Sequence, residues 1–202
     1  MRRALFSLLV LTGCAFSPPP AAPNAFYDLG PAPNSSSSSR IDTLLLLEPV
    51  HAPPWLQSNA IVYRLEYGED ARHQSYAQSH WVGTPADLFN ARLARGLAEA
   101  AAKGVVGPGQ GIQPDYSLRV ELIEFAQVFD SPRTSEGVVR LRATLVESNP
   151  RALVAQKTFA AATPANSPNA SGAVQAIGDA ADAAIVEIVD WLSATLKPAA
   201  AK

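Results

Sequence analysis

The sequence predicts an α+β fold, a mostly antiparallel sheet with two long helices packed on one face. Three observations carry this expectation. From residue 116 to residue 161, three apolar-polar runs follow one another with short polar turns between them, as in an antiparallel meander. Residues 85–103 and 172–196 instead repeat their apolar positions every third or fourth residue, the period of a helix with one buried face. The order strands, helix, strands, helix then places both helices against one sheet.

The chain opens with the basic Met1-Arg2-Arg3, an apolar run over residues 4–11, and Leu11-Thr12-Gly13-Cys14. A charged start, a short hydrophobic run and small residues read as an export signal. The run is too short for a membrane-spanning helix, which needs roughly 20 apolar residues. The segment resembles a bacterial lipoprotein signal peptide, which implies cleavage before Cys14 and acylation of that residue. Two or more acyl chains anchor stably where one does not. Ala15 and Phe16 follow, with no Asp, which resembles the outer-membrane class in a diderm host. The expected organisation is a signal over 1–13, a lipidated stalk over 14–24, a single α+β domain over 25–197 and a tail over 198–202.

Residues 15–24 are rich in proline and alanine, which favours an extended tether. Phe26-Tyr27-Asp28-Leu29 reads as a short first strand, and residues 31–39 as a Pro/Ser loop too poor in apolar residues to pack. Residues 43–50 form a compact apolar run ending before Pro53-Pro54, the pattern of a buried strand entering a turn. Residues 60–65 and 75–81 are strand-like and predict a hairpin. Thr84-Pro85-Ala86-Asp87 is a helix start, with Thr84 as cap, Pro85 where its missing N–H costs nothing and Asp87 at the capping-box position. Phe89, Leu93 and Leu97 then recur every fourth residue up to the stop at Gly104.

Residues 105–114 are rich in glycine and proline but lack the spacing of a phosphate-binding loop and precede no helix. Tyr116, Leu118, Val120 and Leu122 alternate with polar residues, and the apolar phase then moves to Ile123 and Phe125, which predicts a bulge near Leu122 in a strand reaching Phe129. Residues 139–145 and 153–161 complete the meander. In the last helix Ile177, Ala181, Ala184, Ile185, Ile188 and Leu192 form the buried stripe, and Lys197-Pro198 ends it.

Lys and Arg total 16 against 18 Asp and Glu, with no basic block after Arg3, so nucleic acid is excluded as a partner. Cys14 is the only cysteine, so no disulfide staples the exported domain. His51, His73 and His80 lack the grouping of a metal site. Asp70 near His73, and Ser75 or Ser79 as nucleophiles, form no catalytic constellation, since no G-x-S-x-G elbow holds either serine. The expectation is therefore a chain with no catalytic residues, no metal and no cofactor, which acts through surfaces. Trp55, Leu56, Tyr63, Tyr76 and Trp81 are the candidate partner-binding residues, Trp55 foremost because a tryptophan beside Pro53-Pro54 is hard to bury.

Phe26-Tyr27-Asp28-Leu29, the stretch from Trp55-Leu56 to Ile61-Val62-Tyr63-Arg64, Tyr76 to Trp81 before the first helix, and Trp191-Leu192 in the last resemble the ABC-type transport auxiliary lipoprotein family. The resemblance implies an accessory component hung from the outer membrane and facing the periplasm. Its implied partners are a mammalian-cell-entry-type transport protein and, through it, an ABC permease and ATPase, with ATP chemistry left to the ATPase. A different class of function is a structural or assembly lipoprotein of the envelope with no transport role.

Overall fold

The computed structural model describes residues 23–31, 39–68 and 72–196. The signal, Cys14, most of the stalk, the Ser-rich loop, Asp70 and Lys197-Pro198 lie outside the described residues. Those described form strands β1 (Ala25–Tyr27), β2 (Leu45–Leu47), β3 (Ala60–Leu65), β4 (Gln74–Trp81), β5 (Val105–Val106), β6 (Tyr116–Phe129), β7 (Ser135–Glu147) and β8 (Ala152–Pro164). Helices α1 (Pro85–Ala100) and α2 (Ala170–Thr195) complete the fold, with one 3-10 turn at Pro54–Leu56.

Strand β6 organises the sheet. The expected meander forms along one side of it, β6 pairing antiparallel with β7 and β7 with β8. Along its other side run two shorter strands, both parallel to it: β2 against its start, with Leu45 opposite Tyr116, and β3 against its end, with Tyr63 opposite Gln127. β4 forms the expected hairpin with β3, and β1 lies parallel to β4 at that margin. The sheet is thus mixed, its three longest strands antiparallel and its parallel pairs confined to short elements.

Two expected boundaries move for identifiable reasons. The apolar run at 43–50 is a strand only over Leu45–Leu47, because Pro49 has no N–H to give. The chain nevertheless keeps following β6, with Glu48 N–H on the Leu118 carbonyl and His51 N–H on the Val120 carbonyl. Helix α1 stops at Ala100 rather than at Lys103, since Ala101 is extended and bridges to Ile41. Gly104, at φ 94°, then turns the chain into β5, a strand hidden in the glycine-rich run. At the helix start Thr84 Oγ1 accepts from Asp87 N–H, as the capping pattern predicts.

The core lies between the helices and one sheet face. Phe89, Leu93, Leu97, Ile177 and Ile188 are fully buried and Ile185 nearly so, meeting Leu118, Val120, Leu122, Val139, Leu141 and Leu145. α2 comes so near the sheet that a Cβ at Gly137 would stand 2.3 Å from backbone atoms of Ala176 and Ile177. Small residues make that approach possible. Arg92 on α1 forms a bidentate pair with Asp182 on α2, both contacts 2.7 Å, and donates to the carbonyls of Gly30 and Pro31. The segment after β1 is thereby fastened to both helices.

Candidate partner-binding surface

The face of β6 and β7 away from the helices is charged between Arg119 and Glu124 and apolar beyond, at the buried Ala126, Val128 and Val138, and a bulge determines which residues it shows. From Leu118 to Leu122 the even positions of β6 point into the core. The register shifts between Leu122 and Glu124, so the extra residue, Ile123, reverses the phase. Phe125 then turns inward, opposite Val139, and Glu124 turns outward, opposite Arg140. Without that residue to spare, a carboxylate would enter the core.

Cross-strand pairing fills the outward face. Glu121 stands opposite Arg142 and Glu124 opposite Arg140, the arrangement in which opposite charges attract across a sheet. Arg64 of β3 donates Nε to Glu124 Oε1 at 2.7 Å and Nη1 to Glu66 at 2.8 Å. Arg119 donates to Glu48 at 2.9 Å. The exposed Glu121–Arg142 pair contributes about 0–1 kcal/mol, whereas Glu124 is buried and depends on Arg64 to compensate its charge.

Trp55 stands at the margin of this face. Pro53 and Pro54 fix the backbone of the 3-10 turn, which directs Leu56 inward, 2% exposed, and leaves Trp55 52% exposed. Its indole lies 6.0 Å from the His73 ring. Together with Arg64, Ile123, Glu124 and Arg140 these two residues line an open cleft of about 390 Å³.

The other candidates sit elsewhere. Trp81 is fully buried, edge-on to Phe125 at 5.8 Å, and its indole N–H has no hydrogen-bond partner. Leu56 and Trp81 are therefore core residues with no surface for a partner. Tyr63 and Tyr76 are half-buried on the helix side, their rings 4.9 Å apart. The Tyr63 hydroxyl donates to Gln74 and that of Tyr76 to the buried Gln127, whose amide donates to Ser135 Oγ at 2.8 Å. Burial, and then the neighbouring Tyr63, push the Tyr76 hydroxyl up to about 12. This tyrosine network joins β3, β4, β6 and β7 rather than forming a docking surface.

Of the residues weighed for catalysis, Asp70 lies outside the described residues, and the histidines nearest the hairpin face aromatic rings. His73 faces Trp55 and His80 faces Phe26, with ring centroids 5.8 Å apart in the second pair. Among the described residues no group of three His, Cys, Asp or Glu could hold a metal ion, and no helix is long and apolar enough to cross a membrane. The residues that sequence reasoning passed over are Arg140 and Arg142, whose alternation with Val139, Leu141 and Ala143 marked them as facing away from the core.

The same architecture occurs in solved structures. A protein from Xanthomonas campestris is similar over 86% of this chain and 94% of its own, with a TM-score of 0.67 and 21% identity. An uncharacterized protein gives a TM-score of 0.63 at 16% identity over 84% and 99% of the two chains. A hypothetical protein from Chlamydia trachomatis gives 0.53 at 11% identity over 77% and 98%. At these identities the likeness is one of fold. Comparison with curated proteins gives no match. The model of the ABC-type transport auxiliary lipoprotein component matches residues 27–189, from the last residue of β1 to the last turns of α2 and thus through β2 to β8; the chain belongs to that family.

Proposed function

We propose that the protein is an outer-membrane-anchored accessory component of an envelope lipid or solute transport system. It contacts a mammalian-cell-entry-type protein and, through it, an ABC permease and ATPase. Family membership supports a non-catalytic lipoprotein serving ABC-type transport machinery. In this reading Cys14 carries the acyl chains, residues 14–24 tether the domain over 25–197, and the domain faces the periplasm. Mass spectrometry of the membrane-extracted protein checks the anchor, with an acylated Cys14 expected as first residue and an unmodified cysteine fatal to it.

The observation that carries the reading is the exposure of Trp55 in a cleft that joins charged residues to Leu65 and Ile123 beside the β3–β4 hairpin. An exposed indole held by a rigid turn is costly in water and suits the centre of an interface. Truncating such a residue weakens binding by about 2 kcal/mol or more, roughly thirtyfold. Co-purification of the lipidated chain with the mammalian-cell-entry-type protein, before and after Trp55→Ala, is the test. Capture by the wild type and loss in the variant are expected. If no transport component is captured and deletion still weakens the envelope, the structural-lipoprotein reading takes its place.

A further inference from the structure

The outward sheet face carries a second open cleft, about 340 Å³, lined by His51, Arg119, Glu121, Arg142 and Gln156 among others. Its composition repeats that of the Trp55 cleft: two arginines, one glutamate and one histidine in each. Within each cleft one guanidinium is well held by a carboxylate and one is not. Arg64 and Arg119 make contacts of 2.7 to 2.9 Å, whereas Arg142 Nη1 is 3.5 Å from Glu121 and Arg140 Nη2 is 3.8 Å from Glu124. The side chains of Arg140 and Arg142 are 49% and 47% exposed. The Arg140 guanidinium makes no hydrogen bond to Glu124, since 3.8 Å exceeds hydrogen-bonding range.

These two arginines are two positions apart on β7, and each lies opposite an outward glutamate of β6. Their backbone spacing is therefore about 6.8 Å, twice the rise of a strand. Carboxylates at alternate positions of an extended peptide repeat at that same spacing. Bidentate arginine-carboxylate pairing would use the N–H donors that the face leaves open.

We propose that this face receives an extended acidic segment of a partner protein, with alternate carboxylates on Arg140 and Arg142 and a neighbouring apolar side chain against Ile123 and Trp55. The inference deepens the transport reading by naming the chemistry of the contact, and rests on it only for who the partner is. A membrane surface fits less well. Four arginines (Arg64, Arg119, Arg140, Arg142) stand among four glutamates (Glu48, Glu66, Glu121, Glu124), so these eight residues present no net charge to draw the face to anionic lipid. Recognition at this face depends on short-range donors at a fixed spacing.

The test uses the full lipidated chain in nonionic detergent and a dye-labelled synthetic peptide alternating Glu and Val, read by fluorescence anisotropy. The matched peptide with Lys for Glu is the control. The acidic peptide should bind and the basic one should not, with affinity falling about tenfold or more in Arg140→Gln/Arg142→Gln. Thermal melts of the variant should match wild type, because both side chains are half exposed. Equal binding of the two peptides, or undiminished binding by the variant, overturns the proposal. So does displacement of the peptide by dihexanoyl-phosphatidylglycerol at lower concentration than by unlabelled peptide, which assigns the face to a lipid headgroup. Capture of the transport protein that survives Arg140→Gln/Arg142→Gln, with no peptide binding, removes this inference and leaves the transport reading. Peptide binding without such capture does the reverse.

Discussion

The two faces of β6 and β7 are built from the same strands and differ by one residue in phase. On the helix side Val139, Leu141, Ala143 and Leu145 are all fully buried. On the other side Arg140 and Arg142, their immediate chain neighbours, have half their side-chain surface in water. At the bulge the contrast lies between adjacent residues, Glu124 outward and Phe125 inward. The helix face stabilises the fold by excluding water, which constrains volume at every position. Apart from the part-buried Arg64–Glu124 pair, the outward face carries exposed charges whose pairings contribute little to stability, so those positions are free to be shaped by what docks there.

The most severe way to break this division is on the buried side of the bulge. Phe125→Ala should cost about 3–5 kcal/mol, because the ring is fully enclosed and packs edge-on to Trp81. Denaturant unfolding measures it as a lowered midpoint. A loss below about 1 kcal/mol would mean that the ring is not enclosed and the phase reversal at Ile123 is misplaced.

Much of this division was legible in the sequence. The shift from Leu122 to Ile123 and Phe125 announced the bulge, and the period-four stripe of α1 named Phe89, Leu93 and Leu97 as core. The legible features are local, periodic and repeated. What could not be read is pairing between short, distant segments: nothing in Leu45–Leu47 or Ala60–Leu65 says that both run parallel to β6, or that Val105–Val106 joins β2. Leu56 and Trp81 were equally opaque, since an apolar residue near a turn has the same composition whether it points in or out. Arg92 had no partner visible in sequence, because Asp182 lies ninety positions away. Trp55 was distinguished only by its prolines.

A smaller effect comes from the margin of the helix face, where Tyr76 bonds to buried Gln127. Tyr76→Phe should cost about 1 kcal/mol at neutral pH by leaving the Gln127 carbonyl short of a donor. The hydroxyl's folded pKa, about 12, lies above the ordinary value of 10.0. The neutral form is therefore favoured by folding, and its contribution is complete below pH 10 and lost as pH rises toward about 12. The advantage of wild type over Tyr76→Phe in urea melts should be level up to pH 10 and shrink above it. A constant advantage across that range would place the hydroxyl in water.

The smallest expected effect is on the outward face, and it decides whether that face is independent of the fold. Glu121 and Arg142 stand opposite each other with a 3.5 Å contact, their side chains 57% and 47% exposed. At that distance and exposure the attraction is screened, and holding two long side chains together opposes it with lost rotamer freedom. A double-mutant cycle of Glu121→Gln and Arg142→Gln should give a coupling of about 0–0.5 kcal/mol in unfolding free energy, smaller still at high salt. Phe125→Ala, measured alongside, supplies the scale. A coupling near 2 kcal/mol would tie the outward charges to stability, and the sheet would then hold its arginines for the fold's sake. A coupling near zero leaves Arg142 structurally idle, so any loss of partner binding on its removal reports on the contact itself.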